Sequence, residues 1–153
     1  MHHQAPLTEA EMTFVRHQRI ARLATSDAQG APHVIPVCYA FDGQRFYTPL
    51  DEKPKSVSPT RLQRVRNIQA RPDVALLIDQ YEDDWSRLGY VQVHCHAELI
   101  DPGHEAHAHA LKLLRVRYVQ YRAMLLEQQP VIMLTPTRIS AWGPALSNQG
   151  RDE

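Results

Sequence analysis

The sequence predicts a mainly β protein: an antiparallel, Greek-key-like barrel of about six strands, with helices inserted between them. Three observations carry that prediction. Alternating and β-branched apolar runs mark successive strands. Turn signals join most of these strands in hairpin order, without the regular strand–helix alternation of a parallel sheet. At 153 residues and 43% hydrophobic content, the chain suits one domain around one core. That domain is expected over residues 1–146, with a disordered tail over 147–153.

Thr8-Glu9-Ala10-Glu11 reads as a capping box, with Thr8 as N-cap and Glu11 at the third helical position. It opens a short helix to about His17, with Met12 and Val15 packing on the body. Arg19 to Ser26 alternates as a strand, and Asp27-Ala28-Gln29-Gly30 is a turn that needs Gly30 for a positive φ. Val34 to Phe41 is a second strand. Pro36 inside it has no N–H to give, which predicts an edge or a bulge. Asp42-Gly43 is a hairpin signal, and Gln44 to Leu50 returns. Ser58-Pro59 reads as N-cap and first residue of a helix to Ala70, with Leu62, Val65 and Ile68 inward. Val74 to Asp79 is a well-buried strand, and Tyr81 to Leu88 an acidic and aromatic loop. Gly89 to Ile100 is a long strand, with Val91, Val93, Cys95 and Ala97 on one face and Gln92, His94, His96 and Glu98 on the other. Asp101-Pro102 is expected to start an interrupted helical segment to Gln128, with Leu111, Leu114 and Tyr118 inward. Val131 to Thr135 and Arg138 to Trp142 are expected as two last strands.

Charge sets broad limits. Seventeen Lys+Arg balance 17 Asp+Glu, so the chain lacks the wide basic field of a general nucleic-acid or membrane-surface binder. An oligonucleotide-binding barrel is disfavoured further by 7% aromatics that do not cluster on strands. No apolar run approaches the roughly 20 residues of a membrane span. Met1-His2-His3-Gln4 lacks the layout of a signal peptide, and the expected location is cytoplasmic. Cys38 and Cys95 are expected as free thiols.

Against this neutral background one segment stands out. From Lys53 to Arg71 there are six basic residues and no acidic one. Lys53 and Lys55 occupy the turn before a helix, a setting that suits a phosphate, with Arg61 near enough to assist. A solvated basic helix face is the competing reading, and Arg64, Arg66 and Arg71 fit solvent or a dimer contact better. Tyr47 and Thr48, just ahead of this turn, suit either a ring wall and a hydroxyl donor or plain core packing. Trp85 suits either a ring cap or structural packing. The nine histidines include His104, His107 and His109 near one helix start, but only His104 and His107 lie about one turn apart, His109 points elsewhere and no third ligand joins the pair, so solvated imidazoles and no metal are expected.

The order of several short motifs resembles a known superfamily. Arg22-Leu23-Ala24-Thr25 is followed by Gly30-Ala31-Pro32-His33-Val34-Ile35-Pro36-Val37, then Tyr47-Thr48 and Asp51-Glu52-Lys53-Pro54-Lys55. Leu62-Gln63-Arg64-Val65-Arg66-Asn67-Ile68 and Pro72-Asp73-Val74-Ala75-Leu76-Leu77 come next, with Asp83 to Leu88 and Arg138-Ile139-Ser140-Ala141-Trp142 beyond. Together they resemble the FMN-binding split-barrel superfamily of pyridoxamine 5′-phosphate oxidase, closest to its branch of deazaflavin (coenzyme F-420)-dependent oxidoreductases. The resemblance implies a homodimer with cofactor clefts where the subunits meet. It implies hydride transfer from reduced F-420 to a small conjugated or heteroaromatic acceptor. Lys53, Lys55 and Arg61 would hold phosphate, the backbone of Pro36, Val37 and Cys38 would face the ring, and Tyr47, Thr48 and Trp85 would line the site. A proton would come from Tyr39, His33 or water. The alternatives are an FMN-dependent oxidoreductase, or a non-catalytic flavin or haem carrier using His94 and His96. The chain lacks the fuller basic set with which pyridoxamine-phosphate oxidases hold FMN and substrate phosphate, which disfavours vitamin B6 oxidation.

Overall fold

The structure, a computed structural model, describes residues 1–50 and 62–148. Strand β1 (His2–Gln4) precedes helix α1 (Glu9–His17), and the capping box forms as expected: the Glu11 amide donates to Thr8 Oγ1, while Glu11 Oε1 accepts from the Thr8 amide. Phe14 and Val15 on α1 are buried, and Met12 packs at the edge of the core. Strands β2 (Ala21–Ser26) and β3 (Pro32–Val37) form a hairpin. Its turn is fixed by Asp27 Oδ1, which accepts from the amides of Gln29 and Ala31, and by Gly30 at φ +89°.

The expected single strand from Val34 to Phe41 is two, β3 and the short β4 (Ala40–Phe41), separated by Cys38 and Tyr39. Strand β5 (Phe46–Pro49) pairs with β4. Helix α2 (Gln63–Ala70) has Leu62, in extended conformation, at its N-cap; the Ser58-Pro59 start expected for it lies outside the described residues. Strands β6 (Asp73–Gln80) and β7 (Gly89–Ile100) follow with the expected facing. Helix α3 (Glu105–Arg117) starts later than Asp101-Pro102. Gly103 at φ +93° closes a turn after β7, and His104 Nδ1 caps the helix by accepting from the Ala106 amide. The two last strands are one, β8 (Val131–Trp142): Pro136 sits at a bulge, not a break, and Thr137 is the extra residue. Helix α4 (Ala145–Asn148) takes in the first two residues of the segment expected as a tail; residues 149–153 are outside the description.

All pairings are antiparallel, in the order β3-β2-β6-β7-β8-β5-β4, with β1 on β8. The two ends of that order, β3 and β4, are neighbours in the chain, so the sheet must curl back on itself into a half-barrel. The interior holds Phe14, Leu23, Phe46, Leu76, Ile78, Val93, Leu134 and Ile139, each buried. A second, smaller cluster lies between Ala40, Tyr47 and Val131 on the sheet and Leu111, Leu114, Tyr118 and Tyr121 in the insertion between β7 and β8.

Candidate functional site

Where the sheet closes, β3 passes β5 without pairing to it. A cavity of about 160 Å³ opens there, lined by Ile20, Pro36, Val37, Cys38, Thr48, Pro49 and Arg64. Each wall has a local cause. Strand β3 is an edge strand, as Pro36 requires, and pairs only with β2. Cys38 belongs to neither β3 nor β4, so its amide and carbonyl are in no ladder. Thr48 comes from β5, is 1% exposed and brings a hydroxyl to the wall. Arg64 is 4% exposed on the inner face of α2, beside Val65 and Ile68.

Four expected site residues therefore meet at one cavity: Pro36, Val37, Cys38 and Thr48. Arg64, expected at solvent or at a dimer contact, is buried in its wall. The signal was its spacing: Arg64 stands four residues before Ile68 and so shares the buried stripe of the helix. Lys53, Lys55 and Arg61 lie outside the described residues. Tyr47 and Trp85 do not line the cavity. Tyr47 packs edge-on against His109 in the second cluster, and its hydroxyl donates to Asp42 Oδ2 at 3.1 Å. Burial and the Asp42 charge push its phenol up to about 12. Burial works against ionising Asp42, but the amides of Arg45 and Gln44, with His109 and Tyr47, hold its carboxyl below the ordinary range. Trp85 stands 69% exposed on a single 3-10 turn, Trp85–Arg87. Tyr39, a candidate proton donor, is fully buried and spends its hydroxyl on the carbonyls of Val15 and Gln18.

A second depression, of about 530 Å³, crosses the outer face of β2, β6, β7 and β8, with Gln4, Ser26, Asp73, His94, Cys95 and Arg138 among its lining residues. His94 Nε2 lies 3.3 Å from the Arg138 guanidinium, so the nitrogen that haem ligation needs faces a cation. Burial and that cation both lower the His94 pKa, which favours the neutral ring. His96 points at Glu98, at 3.7 Å. His107, expected in solvent, is buried, with Nε2 at 2.6 Å from the Gln129 carbonyl. Among the described residues no three His, Cys, Asp or Glu side chains are grouped to hold a metal. No described helix is long and apolar enough to cross a membrane.

Comparison with known proteins agrees with this fold. The sequence profile of the family described as pyridoxamine 5′-phosphate oxidase matches residues 7–143. A 5a,11a-dehydrotetracycline/5a,11a-dehydrooxytetracycline reductase of Streptomyces rimosus is 32% identical over 74 residues, which is 48% of this chain and 49% of the relative. The chain thus matches about half the length of that curated relative. Among solved structures, a conserved hypothetical protein of Mycobacterium tuberculosis superposes with a TM-score of 0.71 at 22% identity, over 94% of this chain and 89% of that one. It shares the fold. An F420 reductase superposes with a TM-score of 0.62 at 26% identity, over 88% of this chain and 98% of that one.

Proposed function

The chain belongs to the pyridoxamine 5′-phosphate oxidase family, and on that premise we propose that it is an oxidoreductase whose seam cavity receives a flavin-type cofactor. The observation that carries the proposal is the convergence of Pro36, Val37, Cys38, Thr48 and Arg64 on one cavity. These residues fit such a group. An edge strand offers backbone donors and acceptors in one plane, as a flat heteroaromatic ring requires, and Thr48 and Arg64 add a hydroxyl and a cation. Lys53 and Lys55, in the basic stretch of sequence between Thr48 and Arg64, would take the phosphate.

Coenzyme F-420 is the favoured cofactor and FMN the alternative. By their own descriptions, the resemblance to a 5a,11a-dehydrotetracycline/5a,11a-dehydrooxytetracycline reductase supports a reductase, and that to an F420 reductase supports a deazaflavin. When bound, the reduced cofactor supplies a hydride to a small conjugated or heteroaromatic acceptor, which takes up a proton to complete the reduction. This chain's residues bind and orient. Arg64 sits in a dry wall, where a charge-assisted hydrogen bond is strongest, and Ile20, Val37 and Pro49 exclude water.

At about 160 Å³ the cavity is smaller than the ~300–1,000 Å³ of a complete small-molecule pocket. A second copy of this chain would supply the missing wall, and the outer sheet face offers Val34, Tyr90 and Trp142, all exposed, for it to cover. The free thiols of Cys38 and Cys95 suit a reducing, cytoplasmic setting.

Titration with F-420 and with FMN, read by ligand fluorescence and by protection of Cys38 from iodoacetamide, tests the proposal. F-420 binding that shields Cys38 is the expected result. Binding of neither cofactor overturns it, and tight binding of FMN alone moves the protein to flavin chemistry.

A further inference from the structure

Ile20 and Cys38 line the seam cavity side by side, one step beyond the last β2–β3 pair, Ala21 with Val37, and neither residue belongs to a strand. Something other than a ladder must hold this wall in place. One phenol does so. Tyr118, the C-cap of α3, is buried to 6% exposure, and its own amide is fixed by a bond to the Leu114 carbonyl. Its hydroxyl oxygen accepts from the Tyr39 amide at 3.1 Å and from Arg117 Nε at 3.0 Å. Its single proton has two carbonyls in reach, Arg19 O and Tyr39 O, each at 2.9 Å. Both lone pairs and the proton are therefore committed. The residues it grips, Arg19 and Tyr39, immediately neighbour Ile20 and Cys38.

The surroundings reinforce this grip. The Arg117 guanidinium donates to the carbonyls of Arg16 and Gln18, and lies 4.8 Å over the Tyr39 ring. Arg19 returns a bond from Nη2 to the Arg117 carbonyl at 2.7 Å and stacks on the Tyr118 ring at 4.7 Å. The end of α1, the start of β2 and the β3–β4 link thus all meet at the last turn of α3. The insertion between β7 and β8, which lines no part of the cavity, is bolted to the wall that Ile20 and Cys38 form.

We propose that Tyr118 is a positioning residue for the seam site, its hydroxyl clamping the open end of the β2–β3 hairpin so that the wall of Ile20 and Cys38 stays in place to fit the flavin-type ring. This rests on the reading of the cavity as the cofactor site. Tyr118→Phe removes one oxygen and keeps the ring packing. In the cofactor-free full-length protein, the expected result is Cys38 alkylated about five times faster, because the strand end next to it loses its anchor. In titrations, affinity for F-420 or FMN should fall about tenfold, with near-UV circular dichroism retained. Leu126→Ala, in the same apolar cluster, serves as the control: it should cost stability and leave Cys38 reactivity and affinity unchanged.

Reactivity and affinity within about twofold of the unsubstituted protein in Tyr118→Phe would overturn the proposal. So would equal changes in the Leu126→Ala control, since the effect would then be general loosening. Should Tyr118→Phe fail to fold, Arg117→Ala removes a donor to the same oxygen together with the bonds to Arg16 and Gln18, and the same two readouts, set against the Leu126→Ala control, decide. The thiol measurement needs no cofactor. If the unsubstituted protein binds neither F-420 nor FMN, the reading of the site falls while Cys38 alkylation still decides whether Tyr118 holds that wall.

Discussion

The sheet carries two depressions, and the smaller one has the better chemistry. The groove of about 530 Å³ lies on β2, β6, β7 and β8, interior strands whose backbone groups are committed to neighbours on both sides. Its Arg138 already faces His94. The seam cavity, about 160 Å³, lies where β3 runs past β5 unpaired, next to a residue outside any ladder and beside the buried Thr48 and Arg64. Volume therefore ranks the two in the wrong order. A flat, polar ring needs donors and acceptors outside any ladder in a dry wall, and those occur where a sheet stops pairing.

Each depression has its own cysteine, which makes the comparison testable. Cys38 lines the seam and is half-buried, while Cys95, on β7 beneath the groove, turns its thiol into the core at 3% exposure, with burial pushing it up to about 12. At about pH 8, iodoacetamide should modify Cys38 on the order of 100 times faster than Cys95. Peptide mapping by mass spectrometry reads the two sites separately. Comparable rates would mean that the strands beneath the groove open as readily as the seam.

The next effect concerns binding. Arg64→Met keeps the apolar stem and removes the cation, and cofactor affinity should drop about tenfold to a hundredfold, the worth of a hydrogen bond from a charged donor. Arg138→Ala should change it by less than about twofold, because that guanidinium belongs to the other depression. The reverse pattern in fluorescence titrations would transfer the site to the groove. Thr48→Val, nearly isosteric, should cost about 1 kcal/mol of binding, or roughly fivefold in Kd, through the lost hydroxyl.

The two regions also differ in how far the sequence announces them. Local chemistry is plain where one residue type settles the backbone. The Thr8–Glu11 box, Gly30 in its turn, Pro36 on an edge strand and the alternation of β7 all stand as the residues suggest. Three of the seam's lining residues, Pro36, Val37 and Cys38, are legible because an imino acid in a β-branched run must leave an edge. The rest depends on what packs from far along the chain. Tyr47 and Phe46 point to opposite sides of β5 and both are buried, because the barrel interior covers one face and α3 the other. No pattern local to β5 distinguishes that from a ring wall. Arg64 looks solvated by its charge, although its spacing from Ile68 places it inward. Pro136 looks like a break, yet β7 tolerates it as a bulge, with the Thr137 hydroxyl donating to the His94 carbonyl at 3.0 Å.

The smallest expected effect belongs to the rim of the groove. Gln4 of β1 lines it, and β1 is tied to α1 by His3, whose Nε2 lies 2.8 Å from Glu11 Oε1 in the capping box. The Glu11 carboxylate, helped by the Gln4 carbonyl, raises the His3 pKa above 6.5, against a smaller effect of burial. The folded state thus binds this proton more tightly than the unfolded chain. Its contribution is complete below the unfolded pKa and disappears as pH rises through the folded one. His3 is partly exposed, so the gain is that of a screened pair, about 0.5 kcal/mol. Urea titrations at about pH 5.5 and about pH 8.5 should show this increment lost at the higher pH, and His3→Ala should remove the difference without changing cofactor affinity at the seam. A matching loss of affinity would mean that β1 and the groove bear on the cofactor site, and the separation of the two regions would have to be abandoned.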